Sequence, residues 1–547
     1  MSHQAGLKAC TTSAVSRRPV VVQAFRPAVV VVEAFRPAVV VLALVCSACL
    51  QRPTANANIL VVGVTSGPNN LDPRIGTDDV SGKASQLIFN NLMTLDDHLR
   101  VVPELAERIE NPDATTYVVT LRRGVRFHDG HELTSADVVY TFRSLLDPAF
   151  LSPRKGAYRM VQSIDARDRD TVVFTLKERF GSFPVNLVLP IVPDGAGANF
   201  REHPIGTGPY RFVRYATDDR LELAPFDDYF GGRPKNDGLV LRIVPDDIMR
   251  GLELRKGTMD IVVNDLAPDI VHQLGRDPKI QLVESAGTDY QYVGLNLRDP
   301  VLRDRRVRQA LGYAIDRQAI IQYLRRGLAT PAAGILPPVS WAFEPSVFQF
   351  TYDPAKARAL LDEAGFRDPD GDGPEPRFRL SLKISNLEFN RLQSSVIQQN
   401  LRAVGIALEV RTYEFSTLYA DVLKGNFQLF TLQWVGGAVA DPDILRRVFH
   451  SSQVPPSGFN RGFFRDPRVD RLLDDAAVST DDEQRRALYA DVQRAVAEEA
   501  PYISLWCKTN VAVARRDLTG IHVMPIADFT FLKDVARTPA ERRRAGL

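Results

Sequence analysis

The hydrophobic pattern opens with a short apolar run, Ile59 to Val64, that stops at Gly67-Pro68, as a buried strand running into a turn would. Val80, Ala84, Leu87, Ile88 and Leu92 then recur at helical spacing. Tyr117 to Leu121 and Thr171 to Leu176 are rich in β-formers and predict strands. Between them, Thr134 with Asp137 forms a capping-box pattern that opens a helix through Val138, Phe142 and Leu145. The second half is more regular. Leu380 to Ile384 predicts a strand, Asn390 to Val404 a helix ended by Gly405, and Ile406-Leu408-Val410 an alternating strand, which together make a βαβ unit. Asp353-Pro354 supplies an N-cap with proline at the first helical position, that helix closing at Gly365, and Asp482 to Glu498 is again periodic. The fold class is α/β.

A length of 547 residues exceeds what one hydrophobic core organises, so two or three lobes are expected. With 45% apolar and 24% charged residues, each lobe can bury a core, and global disorder is excluded. The net charge is only +2, so no overall field holds nucleic acid or an anionic membrane. Basic clusters are local: Arg303, Arg305, Arg306 and Arg308 read as a solvated face, and Arg542, Arg543 and Arg544 as a tail.

The N-terminal segment changes this picture. Ala38 to Leu50 is apolar but too short to span a bilayer, and Arg17, Arg18, Arg26 and Arg36 precede it, which is the layout of a secretory signal. Two processing sites compete: Ala55-Asn56-Ala57 suits a type I signal peptidase and would release a chain starting at Asn58, whereas Ser47-Ala48-Cys49 resembles the end of a lipobox, with Cys46 where leucine is expected. Cys49 is therefore a lipidation candidate. Gln23-Ala24-Phe25-Arg26-Pro27-Ala28-Val29 recurs as Glu33-Ala34-Phe35-Arg36-Pro37-Ala38-Val39, and the true start is expected inside this repeat. No other stretch reaches the roughly twenty apolar residues of a membrane span. Of the four cysteines only Cys507 lies beyond the leader, so a mature chain has no disulfide framework and Cys507 reads as a buried, inert thiol.

The catalytic signatures are incomplete. His131-Glu132 lacks the second histidine of a zinc-protease helix, with Ser135 in its place. Gly82-Lys83 lacks the first glycine and the hydroxyl of a phosphate loop, and Gly206-Thr207-Gly208 lacks the third glycine of a dinucleotide turn. No glycine-flanked nucleophile elbow is present. His128 and His131 read as flanking a turn at Asp129-Gly130 and not as metal ligands. Asp368-x-Asp370-x-Asp372-Gly373 begins like a calcium loop, but Arg379 stands where a bidentate glutamate is required, so a polar loop is expected. No catalytic residue, cofactor or metal is assigned.

The order and spacing of several motifs from Ile59 to Ile521 are more telling. They are Leu71-Asp72-Pro73, Leu121 to Asp129-Gly130 running on to Leu133 to Val138, Gly206-Thr207-Gly208-Pro209-Tyr210, Arg306-Val307-Arg308-Gln309-Ala310-Leu311 through Ala314-Ile315-Asp316-Arg317, and Asp441-Pro442-Asp443. This series resembles the family 5 solute-binding proteins of peptide, dipeptide and nickel ABC importers. The resemblance implies a two-lobed periplasmic-binding-protein-like fold with an extra subdomain inserted in the first lobe. Its expected layout is a leader at 1–57, lobe I at 58–290 with the insert at about 95–200, lobe II at 291–503, and a return to lobe I with the tail at 504–547. The chain crossings are placed near Tyr290 to Asn296 and Ser504 to Val511. The resemblance further implies no enzyme activity, an extracytoplasmic location, free or lipid-anchored, a monomer, and as partners a small peptide or other small solute and an importer permease.

In peptide-binding members of that family, an aspartate three residues after a tryptophan pairs with the ligand α-amine. Trp434 matches the tryptophan, but Gly437 occupies the aspartate position. Asp441 either caps the following helix or takes over the amine. Trp434 is a candidate cleft wall or core aromatic, Trp341 a candidate cleft wall or an aromatic plugging a turn-rich loop onto the surface, and Tyr290, Tyr292 and Asn296 share one face of a crossing strand, toward ligand or toward a neighbouring strand. Three functions compete: a receptor for a peptide or peptide-like solute, the same fold binding a metal chelate or oligosaccharide, and a secreted hydrolase.

Overall fold

The computed structural model describes residues 58–538 apart from 198, 372 and 457. The segment 1–57, where a leader with Cys49 and two competing processing sites is expected, the Arg542–Arg544 run and Asp372 lie outside the described residues. Among the described residues no helix is long and apolar enough to cross a membrane.

An eleven-stranded mixed sheet runs through the molecule, and its two ends belong to different cores. At one end Leu60–Val64 lies parallel to Leu239–Ile243 and Ile261–Val263, with Leu60 opposite Leu239 and Val62 opposite Ile261. Its near-continuous apolar run suits a parallel strand covered on both faces. Gly63 has no room for a side chain, because a Cβ would stand 2.3 Å from the Met259 sulfur. Helix Asp79–Ile88, capped by the Asp78 carboxylate accepting from the Ser81 N–H, buries Val80, Ala84, Leu87 and Ile88 on this core.

The other end holds the expected βαβ unit. Phe378–Ser385 pairs in parallel with Ile406–Tyr413 and, at Leu382, with Leu429–Trp434. The crossover helix spans Glu388–Arg402, two residues earlier at each end than its periodicity suggested, and Gly405 follows at φ +81°. The chain therefore leaves the helix before the glycine, which serves the turn into the next strand.

Two long antiparallel strands, Ile280–Leu295 and Tyr502–Arg515, join the ends. Their first register, Ile280 opposite Arg515 through Ala286 opposite Thr509, breaks and resumes at Tyr290 opposite Cys507. Before the break Tyr502–Arg515 is flanked by Ile261–Val263, and after it Ile280–Leu295 is flanked by Leu429–Trp434. The irregularity thus sits where the sheet passes from one core to the other, and such bulges bend a ribbon locally.

A separate four-stranded antiparallel sheet, in the order Ala106–Asp113, Thr116–Leu121, Thr171–Leu176, Val161–Asp168, packs beneath helix Ser135–Leu146. Thr134 and Asp137 form the capping box that the sequence pattern predicts. Phe142 and Phe174 meet edge to face at 5.1 Å in its core. The two outer strands escape periodicity analysis because most of their residues are polar and exposed, with only scattered core residues such as Ala106, Val161 and Ile164.

Candidate ligand-binding cleft

Several motifs singled out in the sequence prove to be structural ties. In Leu71-Asp72-Pro73, Asp72 accepts two charge-assisted bonds from Arg74, Nε at 3.0 Å and Nη2 at 2.7 Å. Arg74 also donates to the Ala196 carbonyl and lies against the rings of Tyr140, Phe150 and Phe200, so it fastens the insert to the first core. Gly206 and Gly208 let the chain pass the end of helix Asp79–Ile88: a Cβ on Gly206 would stand 2.0 Å from the Ile88 carbonyl oxygen. Arg308 donates to the carbonyls of Leu302, Arg303 and Glu499 and pairs with the Glu499 carboxylate, while Arg305 meets Glu498 and Glu499. Arg305 and Arg308 are thus matched by acids on the C-terminal end of helix Asp482–Glu499 while Arg306 pairs with Asp304, and Arg308 is buried, so the run is not wholly the solvated face expected from its sequence.

The turn at Asp129-Gly130 occupies its histidines. His128 Nδ1 accepts from the Gly206 N–H and Nε2 meets the Gly208 carbonyl at 3.0 Å, and burial pushes its pKa down to about 4. His131 stacks on Phe127 at 4.3 Å and bonds Asp129. In the 368–373 loop, Asp368 faces Arg377 and Asp370 accepts from the Glu375 N–H. Burial pushes the Cys507 thiol up to about 12, leaving it protonated and unreactive at neutral pH.

The cleft is built around the end of strand Leu429–Trp434. Tyr290 stands opposite Trp434, and the following turn is anchored to the crossing strand: Asp289 Oδ1 accepts from the Gly436 N–H at 2.9 Å, and Thr288 donates to the Gly436 carbonyl. Gly437 is exposed on this turn, and a Cβ there would meet nothing within 4 Å. Glycine at 437 is therefore not required by space or by its backbone angle, and its absence of a carboxylate is a chemical property of the site.

Asp441 reaches across the cleft. Its Oδ1 accepts from the Asp443 N–H and from Ser182 Oγ, each at 2.8 Å, and its Oδ2 lies 3.5 Å from Arg485 Nη2. Arg485 donates to the same Ser182 hydroxyl at 2.7 Å and lies 5.3 Å from the ring of Trp341. Ser182 belongs to the insert, Asp441 and Arg485 to the far core, so this contact bridges the cleft and divides it. On one side a cavity of about 570 Å³ is lined by Arg100, Tyr117, Trp341, Asp441 and Arg485. On the other a cavity of about 610 Å³ is lined by Arg154, Tyr158, Gly437, Asp441, Arg446 and Arg447. Each is within the size range of small-molecule sites.

The remaining nominated residues sit in the core. Tyr290 donates to or accepts from Ser504 Oγ at 2.7 Å, and Tyr292 stacks between Tyr290 and Tyr502. Asn296 donates to the carbonyls of Gly425 and Phe427. None of these three lines either cavity. Trp434 is half-buried, edge-on to Phe459 at 5.4 Å. Sequence reasoning missed Ser182, Arg485, Arg154, Arg447, Phe459 and Arg461, which no local motif marks because Ser182 and Arg485 lie 303 residues apart.

Two cores joined by a two-strand crossing, with cavities of ligand size lined from both sides, define a cleft-type binding protein. The chain belongs to family 5 of the bacterial extracellular solute-binding proteins, the receptors of ABC importers, whose middle-region family model matches residues 100–455. It is 32% identical to the glutathione-binding protein GsiB of Pectobacterium atrosepticum, over 89% of this chain and 96% of that protein. It is 28% identical to the oligopeptide-binding protein AppA of Bacillus subtilis, over 89% of this chain and 95% of that one. The solved AppA structure, in complex with a nonapeptide, superposes with a TM-score of 0.71 over 88% of this chain and 98% of that one. Heme-binding protein A of Haemophilus influenzae is 30% identical over 84% of this chain and 91% of that protein. Members of this family are extracytoplasmic binding receptors.

Proposed function

We propose that this protein captures a peptide or peptide-like solute by closing its two lobes and presents it to an importer permease. The observation that carries the reading is the Asp441–Ser182–Arg485 contact, which bridges the cleft beside two cavities of ligand size. A ligand touching both walls binds the closed form better than the open one and so shifts the population toward closure. In this reading lobe I is 58–290 with its insert at about 95–200, lobe II is 291–503, and the strand from residue 504 returns to lobe I. The receptor works as a monomer, exported by its leader and either anchored through Cys49 or released as a chain starting at Asn58.

A second reading, a non-peptide cargo such as a metal chelate or oligosaccharide, draws on Gly437, where the family's amine-pairing acid is absent. Native mass spectrometry of protein purified without denaturation weighs a carried-over ligand directly. A peptide-range mass is expected; the mass of a chelate or sugar would replace the first reading with the second.

A further inference from the structure

We propose that the lobe II wall of the larger cavity is an anion-reading subsite. Arg447, with Arg461 behind it and Arg154 facing it from the insert, takes a carboxylate or similar anionic group of the cargo, so the receptor selects its solute by an acid group and not by a free α-amine. This inference rests on the receptor reading above and adds the chemistry of the ligand.

The rings of Trp434 and Phe459 pack edge to face, and each is covered by a guanidinium. Arg461 lies 5.0 Å from the Trp434 ring and 5.3 Å from that of Phe459, and Arg447 lies 4.8 Å from Phe459 on the cavity side. Among the described residues neither guanidinium has a carboxylate within ion-pair distance. Arg461 is only 5% exposed and donates solely to two tyrosine hydroxyls, those of Tyr292 at 3.1 Å and Tyr419 at 3.2 Å. Its Nε is buried without an acceptor, and so is Nε1 of Trp434. A charge removed from water is ordinarily paired, so buried Arg461 and the idle indole donor leave an unmet demand for negative charge in this cluster, and exposed Arg447 adds a second cation beside it at the cavity.

The neighbouring residues supply the contrast. Arg446, next in sequence to Arg447, is paired with Asp443 at 2.8 Å. Asp441 and Asp443, the carboxylates lining this cavity, make their direct bonds elsewhere, one to Ser182 across the cleft and one to Arg446; Asp443 acts on Arg447 only through space, without a contact ion pair. From the opposite wall, Arg154 is held by the carbonyls of Pro73 and Gly76 at 3.0 Å, contacts that fix its position but leave its charge uncancelled. The cavity therefore presents excess positive charge from both walls, beside Gly437, where an acid would have suited an amine. Arg447 is the exposed contact. Arg461 is too buried to touch cargo and acts as a positioning residue, holding the Trp434 ring and raising the local potential.

Calorimetry on the whole processed protein tests this with glutathione and trialanine, each free, N-acetylated, and with its carboxylates esterified. Esterification should weaken binding at least tenfold, about 1.4 kcal/mol, while acetylation changes it less than threefold. Arg447→Gln should abolish the difference between acid and ester, and Arg447→Lys should keep most of it. Unchanged thermal melts of both variants exclude misfolding as the cause. Equal binding of acid and ester by the unaltered protein would overturn the anion subsite while leaving the receptor reading intact. Failure of every form of both peptides to bind would overturn the peptide-like reading and this inference with it.

Discussion

Arg74 and Arg461 are both buried guanidiniums wrapped by three aromatic rings, at 1% and 5% exposure, yet they are completed differently. Arg74 has a bidentate carboxylate, a carbonyl and the Ser144 hydroxyl. Arg461 has two phenolic oxygens and an idle Nε. The first arrangement is closed and ties two parts of one lobe together. The second is electrostatically open, and it stands behind a cavity. Arg485 is intermediate, since its acid, Asp441, is supplied at 3.5 Å beside a serine from across the cleft. Arg74 is thus closed within its lobe, Arg485 is tied across the cleft through the Ser182 hydroxyl that it shares with Asp441, and Arg461 is left with neither an acid nor, as buried Arg250 and Arg317 have, backbone carbonyls to complete it.

The sharpest way to break this comparison is Asp72→Ala, which leaves Arg74 charged and buried with no counter-ion. A loss of about 3 to 5 kcal/mol is expected, as for other buried pairs cut on one side. Urea unfolding of the purified protein measures it; a loss below about 1 kcal/mol would mean that the aromatic rings alone suffice for Arg74.

Ser182→Ala probes the intermediate case. It removes a hydroxyl that bonds both Asp441 and Arg485, worth about 1 kcal/mol of the closed form, or roughly a fivefold shift toward open. Small-angle scattering should then show a larger radius of gyration without ligand, with the radius restored at saturation. An unchanged radius in the ligand-free variant would show that closure does not depend on this contact.

The smallest stability effect is expected at Arg461→Met, because the removed charge has no carboxylate to orphan and methionine refills much of the space among the rings. Unfolding should change by less than about 1.5 kcal/mol, the scale of well-tolerated hydrophobic replacements. Binding of an acidic peptide should nonetheless weaken, while its ester is unaffected. A loss as large as that of Asp72→Ala would erase the distinction between the two arginines.

Much of the architecture was legible because it is local. The period-2 and period-3.6 patterns of 380–410, the Thr134–Asp137 box and the Asp353-Pro354 start depend on residues within one turn of each other, and the structure forms each of them. The strands Ala106–Asp113 and Val161–Asp168 were not legible, since a polar strand carries no periodic signal when neighbouring strands supply its pairing. Trp434 and Gly437 were nominated by the family resemblance, but their meaning required Phe459, Arg461 and Arg447 around them.

The sequence by itself therefore determined the α/β class, the capped helices and the βαβ unit, which depend on short-range geometry and residue type, while Gly437 stands out as a missing acid only through the family resemblance. Only the tertiary structure decided that Tyr290, Tyr292 and Asn296 serve the core, that Asp441 pairs with Arg485 and meets Ser182 across the cleft, and that Arg461 lacks an acid. The physical reason is that compensation of a buried charge is a property of three-dimensional neighbours: Arg74 and Arg461 are the same residue type, and only the folded chain brings a carboxylate to one and leaves the other without.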